Sequence, residues 1–302
     1  MIKREVIDLF RVPVGKKIRL KDYNPGWRQT SEFEEFGKEA IKERAKETLS
    51  QNLEELEKAQ SLLYADDRYS ILIILQAMDA AGKDGTIKHV MSGVNPQGCQ
   101  VYSFKKPSAE ELDHNFLWRY MRSLPERGRI GIFNRSYYED VLVVKVHPEL
   151  LGRQQLLDAK EEPPGKKFWE ARYDDINAFE HHLVRNGTIV LKFFLHVSKE
   201  EQKARFLDRL NRPEKNWKFS AADLTERGFW DDYMSAYEDA ISATSTKWAP
   251  WYIVPADYKW VTRAVVADVI TTALLDLNLS YPKVSAEQKK LIEQAKASLS
   301  DE

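Results

Sequence analysis

The chemistry of phosphate binding is written most densely in AMDAAGKDG, residues 77–85. Ala77, Gly82 and Lys83 keep the spacing of a P-loop, with alanine in place of the first glycine. In such a loop the chain turns tightly after a strand. A helix opening near Gly82–Thr86 then aims free N–H groups and its positive dipole end at an anion. Ala81, Gly82, Lys83, Asp84, Gly85, Thr86 and Lys88 are the candidate phosphate contacts, Lys83 adding a full charge for terminal phosphates. Two carboxylates complicate the stretch. Asp84 fills the slot where P-loop enzymes carry the Ser or Thr that helps hold Mg²⁺, and Thr86 comes two residues later. Asp79 lies inside the loop, where bound phosphate would repel it unless a cation intervened. Carboxylate oxygens suit Mg²⁺, so Asp79 is the candidate metal ligand, a turn or capping role being its bland alternative. Solvent, a lid cation and the metal all stay open as partners of Asp84.

A second motif, FNRSYYED (133–140), follows the apolar run RIGI and so emerges at the C-terminal end of a strand, where open α/β sheets bind ligands. Arg135 offers phosphate oxygens a forked pair of donors. Glu139 and Asp140 come next, within reach of an acceptor or a metal; their plainer reading is charge on a first helical turn. A third group, Arg205, Arg209 and Arg212, is spaced i, i+4, i+7 and shares one helix face, with Lys203, Lys215 and Lys218 nearby. A charge run is usually a solvated face, but a lane of cations is also what a polyanion requires. Lys88, Lys105, Lys106, Arg119, Arg122 and Arg127 are further candidates for such a lane. Trp118, Tyr137, Tyr138 and Trp217 could stack on a base, although aromatics at these spacings more often pack. The six histidines show no metal-ligand spacing.

Four apolar runs must position these groups: SILIILQ (70–76), RIGIFN (129–134), TIVLKFFLHV (188–197) and WYIVPA (251–256). Each is continuous rather than alternating, as in strands buried on both faces of a parallel sheet, and helical segments long enough to cross over lie between them. The pattern predicts an α/β layered fold. Residues 1–65 read as an arm and a long amphipathic helix from Phe33 to Leu63, 66–285 as the core with a lid at about 205–228, and 286–302 as a helical tail. EEPPGKK (161–167) reads as a surface loop. With 46 basic and 47 acidic residues there is no global pull toward nucleic acid or membrane, so a polyanion site must be a local patch. One cysteine, Cys99, a charged N-terminus and no span-length apolar run lead us to expect a cytoplasmic protein.

Taken together, QAMDAAGKDGTIKHVMSGVNPQG and FNRSYYEDVLVVKVHPE resemble the polyphosphate kinase 2 family. The likeness continues through SFKKPSAEELDHNFLWR, RFLDRLNRPEKNWKF and WYIVPADYKW, from about Leu53 to Leu277. It implies a three-layer P-loop kinase fold, like that of thymidylate kinase, with a helical lid. It also implies phosphoryl transfer from inorganic polyphosphate to AMP or ADP, direct and in line, assisted by Mg²⁺ or alternatively Mn²⁺. On that likeness Asp79, Lys83, Arg135 and Asp140 are catalytic, Asn134, Arg135, Tyr138, Glu139 and Asp140 meet the nucleotide, and Arg205, Arg209 and Arg212 meet polyphosphate. Many members carry Asp at position 134. Asn followed by YYED resembles the class III branch, which accepts both AMP and ADP, and it removes one negative charge near the phosphates. The family also implies a homo-oligomer, dimer or tetramer, while the balanced charge and the lack of a nucleic-acid module or apolar span lead us to expect no nucleic-acid or membrane partner. The rivals are an ATP-dependent nucleotide kinase of the same fold and a non-catalytic regulator that binds nucleotide or polyphosphate.

Overall fold

The computed structural model describes residues 2, 4–29, 36–154, 156 and 164–300. The expected first turn of the long helix (33–35), residues 161–163 of the Pro-rich stretch and the side chain of Lys218 lie outside the described residues. Strands β1 (Ser70–Gln76), β2 (Cys99–Ser103), β3 (Ile130–Asn134), β4 (Thr188–His196) and β5 (Trp251–Pro255) form one sheet in the order β2-β3-β1-β4-β5. All neighbours run parallel. Every residue of β1 and β3 is buried, which explains their unbroken apolar sequences. Strand β2 was not anticipated. It is an edge strand, half-exposed along its length, and CQVYS carries no apolar run to betray it.

The chain leaves central β1 toward β2 and β3 on one side, then crosses to β4 and β5 on the other. Ligands bind at such a reversal, beyond the carboxyl ends of the strands. Register brings the two motifs together there: Leu75, two residues before the P-loop, pairs with Asn134 on one side and with Phe193 on the other.

On one face the helix Lys259–Leu275 packs beneath the helix Lys38–Asp66. The inner of the two is buried on nearly every side (Val261, Ala264, Val265, Val266, Val269, Ile270), so it carries no polar stripe. On the other face lie the helices Lys166–Arg185 and Trp230–Thr244. The lid begins with the helix Lys199–Leu210, capped by Ser198 Oγ on the Glu201 amide, and continues through Ala221–Gly228. The tail helix Ala286–Ser300 has no buried residue. Among the described residues no helix is long and apolar enough to cross a membrane.

Candidate active site

β1 ends at Gln76, and the chain then bends so sharply that Ala80 sits at φ 61° and Gly82 at φ 112°. Gly82 caps the helix Lys83–Val90 at its N-terminus. Only glycine adopts the second conformation without strain, whereas the left-handed Ala80 costs about 1–2 kcal/mol and must be held by its surroundings. Lys83 folds back to donate from Nζ to the Ala77 carbonyl at 2.8 Å. Burial pushes its ammonium below the ordinary range, with Asp79 pulling the other way. A polyanion would restore what burial removes.

Asn134 answers the question posed by Asp84. Its Nδ2 donates to Asp84 Oδ1 at 2.8 Å, with Ser103 Oγ at 3.4 Å. Asparagine can donate to this carboxylate, which an ionised aspartate at the same place could not do. Arg135 follows in the left-handed region at φ 66°, its Nη2 lying 3.5 Å from Asp79 Oδ1. Burial works against the Arg135 charge, yet the carboxylates of Glu139 and Asp79 outweigh it and hold the guanidinium above its ordinary range. Glu139 is pushed upward by burial, against the pull of Arg135 and Lys83.

Asp79, Ala80, Gly82, Lys83, Asp84, Ser103, Asn134 and Arg135 line a cleft of roughly 670 Å³, whereas Glu139, expected to meet the nucleotide, is not among its lining residues. Nine of the side chains lining it are basic and three acidic, in a chain whose net charge is −1. The structure brings Asp79, Ala81, Gly82, Lys83, Asp84, Gly85, Thr86, Asn134, Arg135, Arg205 and Arg209 to this one place, with Lys105, Lys106 and Lys215 at its walls. Lys259 and Arg263 also face it. The sequence reading missed them. They stand i, i+4 on the first turns of the helix after β5, the position that the strand-end rule marks for ligand contact. Both cations are pushed down by desolvation, and Arg205 and Lys215 add repulsion at Lys259.

The expectations for Tyr138, Arg212, Lys88, Arg205 and Asp140 need correction. Tyr138 does not reach the cleft: it is fully buried, and its hydroxyl donates to Glu180 Oε1 at 2.8 Å. Tyr137 binds the same carboxylate oxygen, and Lys192 Nζ meets Glu180 Oε2, the Tyr138 hydroxyl and the Thr244 carbonyl. With three acceptors for three donors, this is a satisfied internal ion pair beneath the site. Arg212 lies beyond the helix end and pairs with Glu214 and Asp208; neither it nor exposed Lys88 is among the cleft's lining residues. Arg205 lines the cleft but turns every N–H to protein acceptors. Asp257, which follows β5, accepts the Ser198 amide at 2.8 Å and so steadies the start of the lid.

Asp140 also faces away from the cleft lining. Gln154 Nε2 donates to its Oδ1 at 2.8 Å, and Arg172 in turn holds Gln154 Oε1 at 2.7 Å. Burial pushes Asp140 up from 3.8 to about 6, against the pull of Arg172. The raised value means that the fold binds a proton more tightly than the unfolded chain. Stability is therefore greatest with Asp140 protonated and falls as pH rises from about 4 to 6. Asp140→Asn is expected to be more stable than the parent above that window, the gap closing as pH falls through it. Urea unfolding at pH values on both sides of the window measures this.

A parallel sheet, an anion-binding loop on its central strand and a basic cleft at the strand ends define a P-loop phosphotransferase. Residues 39–281 match the family description Polyphosphate kinase 2 (PPK2), and the chain belongs to that family. It is 52% identical over 290 residues to an "ADP-polyphosphate phosphotransferase" of Rhodopseudomonas palustris, covering 96% of this chain and 97% of the relative. It is 44% identical over 283 residues to an "AMP/ADP-polyphosphate phosphotransferase" of Meiothermus ruber, covering 94% and 98%. The crystal structure of Polyphosphate Kinase 2 from Arthrobacter aurescens TC1 superimposes with a TM-score of 0.82 at 38% identity, covering 95% of this chain and 96% of that one.

Proposed function

We propose that this chain moves the terminal phosphoryl group of polyphosphate onto AMP or ADP. The observation that carries the proposal is the concentration of basic side chains around a P-loop in a chain with no excess of positive charge. Polyphosphate lies along Lys105, Lys106, Arg209, Lys215, Lys259 and Arg263, with its end at Lys83 and the N-terminus of the P-loop helix. Its charge matches such a lane by the same neutralising logic that governs nucleic-acid backbones. Arg135 and Lys83 meet the phosphoryl group in flight. Asn134, at the carboxyl end of β3, faces the acceptor side.

Among the described residues no three His, Cys, Asp or Glu side chains gather as a metal cage. Mg²⁺ does not need one: it keeps waters and substrate phosphates and takes one or two carboxylates, which Asp79 and Asp84 supply at the cleft. When bound it would neutralise phosphate charge, and Mn²⁺ would suit the same two carboxylates. The protein's part is positioning and electrostatic stabilisation, which dominate phosphoryl transfer and call for no covalent intermediate.

The deciding experiment supplies polyphosphate as the sole donor, with AMP or ADP as acceptor, and follows the products by chromatography. Formation of ADP and ATP is the expected result. Transfer only when ATP is the donor would make this a conventional nucleotide kinase, and tight polyphosphate binding without turnover would make it a regulator.

A further inference from the structure

Arg205 reads from sequence as a lid arginine that grips phosphate, but its atoms are engaged elsewhere. Its side chain is 9% exposed. Nε donates to Glu201 Oε1 at 2.8 Å. Nη1 donates to the carbonyls of Ala80 at 3.0 Å and Ala81 at 2.6 Å. Nη2 donates to the carbonyls of Ala256 at 2.6 Å and Asp257 at 3.1 Å. A guanidinium has five N–H groups, and here each has a protein acceptor. No donor remains for a phosphate oxygen.

Its neighbours on the same helix extend the pattern. Gln202 Nε2 donates to the Asp79 carbonyl at 3.0 Å, and Arg227 Nη1 fixes Gln202 by binding its Oε1 at 2.7 Å. Three successive P-loop carbonyls, those of Asp79, Ala80 and Ala81, are thus tied to the lid helix. In a planar trans peptide the carbonyl and the following N–H point in opposite directions. Fixing the Asp79 and Ala81 carbonyls toward the lid helix therefore directs the amides of Ala80 and Gly82 away from it, toward the cleft that both residues line. The Ala81 amide between them donates to the Met78 carbonyl at 3.3 Å, and the two amides of Ala80 and Gly82 remain to form an anion-binding concavity. The same bonds hold Ala80 in its unfavourable left-handed conformation.

We propose that Arg205 is a positioning residue that shapes the P-loop by its backbone carbonyls, and that it is not a ligand of polyphosphate. The proposal rests on the polyphosphate-dependent reading given above and adds a division of labour within the basic set. Arg205 and Gln202 build the amide cradle, whereas Lys259, Arg263 and Lys215 supply charge to the phosphate chain. Lysine cannot replace Arg205, because one ammonium cannot span the P-loop and the turn after β5 as a planar fork does.

The test compares Arg205→Lys, Arg205→Gln, Gln202→Leu and Lys259→Gln with the parent. It measures kcat, the KM for polyphosphate across a salt series, and hydrogen exchange of the segment 77–86 in the free protein. Arg205→Lys should lose on the order of a hundredfold in kcat, the scale of a misplaced catalytic frame. Gln202→Leu, which changes no charge, should move kcat in the same direction. The salt slope of polyphosphate affinity should stay parental in both Arg205 variants and fall by about 1 in Lys259→Gln. Exchange in 77–86 should quicken in Arg205→Lys. Near-parental kcat in Arg205→Lys, or a slope in Arg205→Gln reduced as far as in Lys259→Gln, would show Arg205 to be a phosphate ligand and overturn the proposal. The exchange measurement separates the two readings: a parent inactive with polyphosphate refutes the functional assignment, whereas unaltered exchange in Arg205→Lys refutes the brace.

Discussion

Lys83→Ala is expected to lower phosphoryl transfer by on the order of a thousandfold while leaving the protein folded. The size follows from place rather than from charge alone. Lys83 opens the P-loop helix, where the dipole already favours an anion, and its Nζ rests on the Ala77 carbonyl in the cleft wall. An ammonium held there in low dielectric interacts with a developing charge far more strongly than one in water. Stability should behave differently. Burial opposes the Lys83 charge in the free protein, so removing it relieves a desolvation cost while forfeiting one hydrogen bond. The two changes are opposite in sign, and the melting temperature should stay within about 3 °C of the parent, equivalent to roughly 1 kcal/mol for a chain of this size. Single-turnover transfer from polyphosphate and a thermal melt, run on the same preparation, check both halves. Activity within tenfold of the parent would remove Lys83 from the reaction. Lost activity together with a large fall in melting temperature would mean that the lysine holds the fold.

How much of this site could be read in the sequence depended on whether the signal was local. β1, β3, β4 and β5 announce themselves because both faces are buried, and the P-loop does so because glycine, lysine and the strand before them are contiguous. β2 was hidden because an edge strand with an exposed Val101 needs no apolar run. The partner of Asp84 was hidden for another reason. Asn134 lies fifty residues away, and only the parallel pairing of β1 with β3 brings the two side chains together. With that pairing known, the Asp and Asn make sense as a matched pair. Tyr138 shows the limit of motif reading. It stands between functional neighbours, yet it lies in the short 3-10 helix Tyr137–Val141 after β3, which turns both tyrosines inward onto Glu180, with Lys192 beneath Tyr138. Lys259 and Arg263 were overlooked because the helix that carries them is otherwise apolar and reads as core. Their i, i+4 spacing directly after a strand was the available signal.

Arg135 is the second residue whose loss should be severe, and its backbone allows a sharper experiment than alanine alone. At φ 66° a non-glycine residue carries strain of about 1–2 kcal/mol, and such strain persists where the surrounding structure imposes it. The imposed turn sends the side chain to the cleft that Asp79 and Lys83 also line, with Nη2 beside Asp79 Oδ1. Arg135→Gly relieves the strain and deletes the guanidinium, separating conformation from charge. It should melt close to the parent, because relief of strain is offset by the greater freedom of glycine in the unfolded chain. Its transfer rate should nonetheless fall by about a thousandfold or more, as when an arginine that steadies transferring phosphoryl groups is removed. Arg135→Lys keeps a charge but loses the planar fork, and should recover only part of that loss. If Arg135→Lys were fully active, a point charge would suffice and the forked contact would be dispensable. If Arg135→Gly were active, the left-handed turn at the end of β3 would have to serve some purpose other than delivering this side chain to the phosphate.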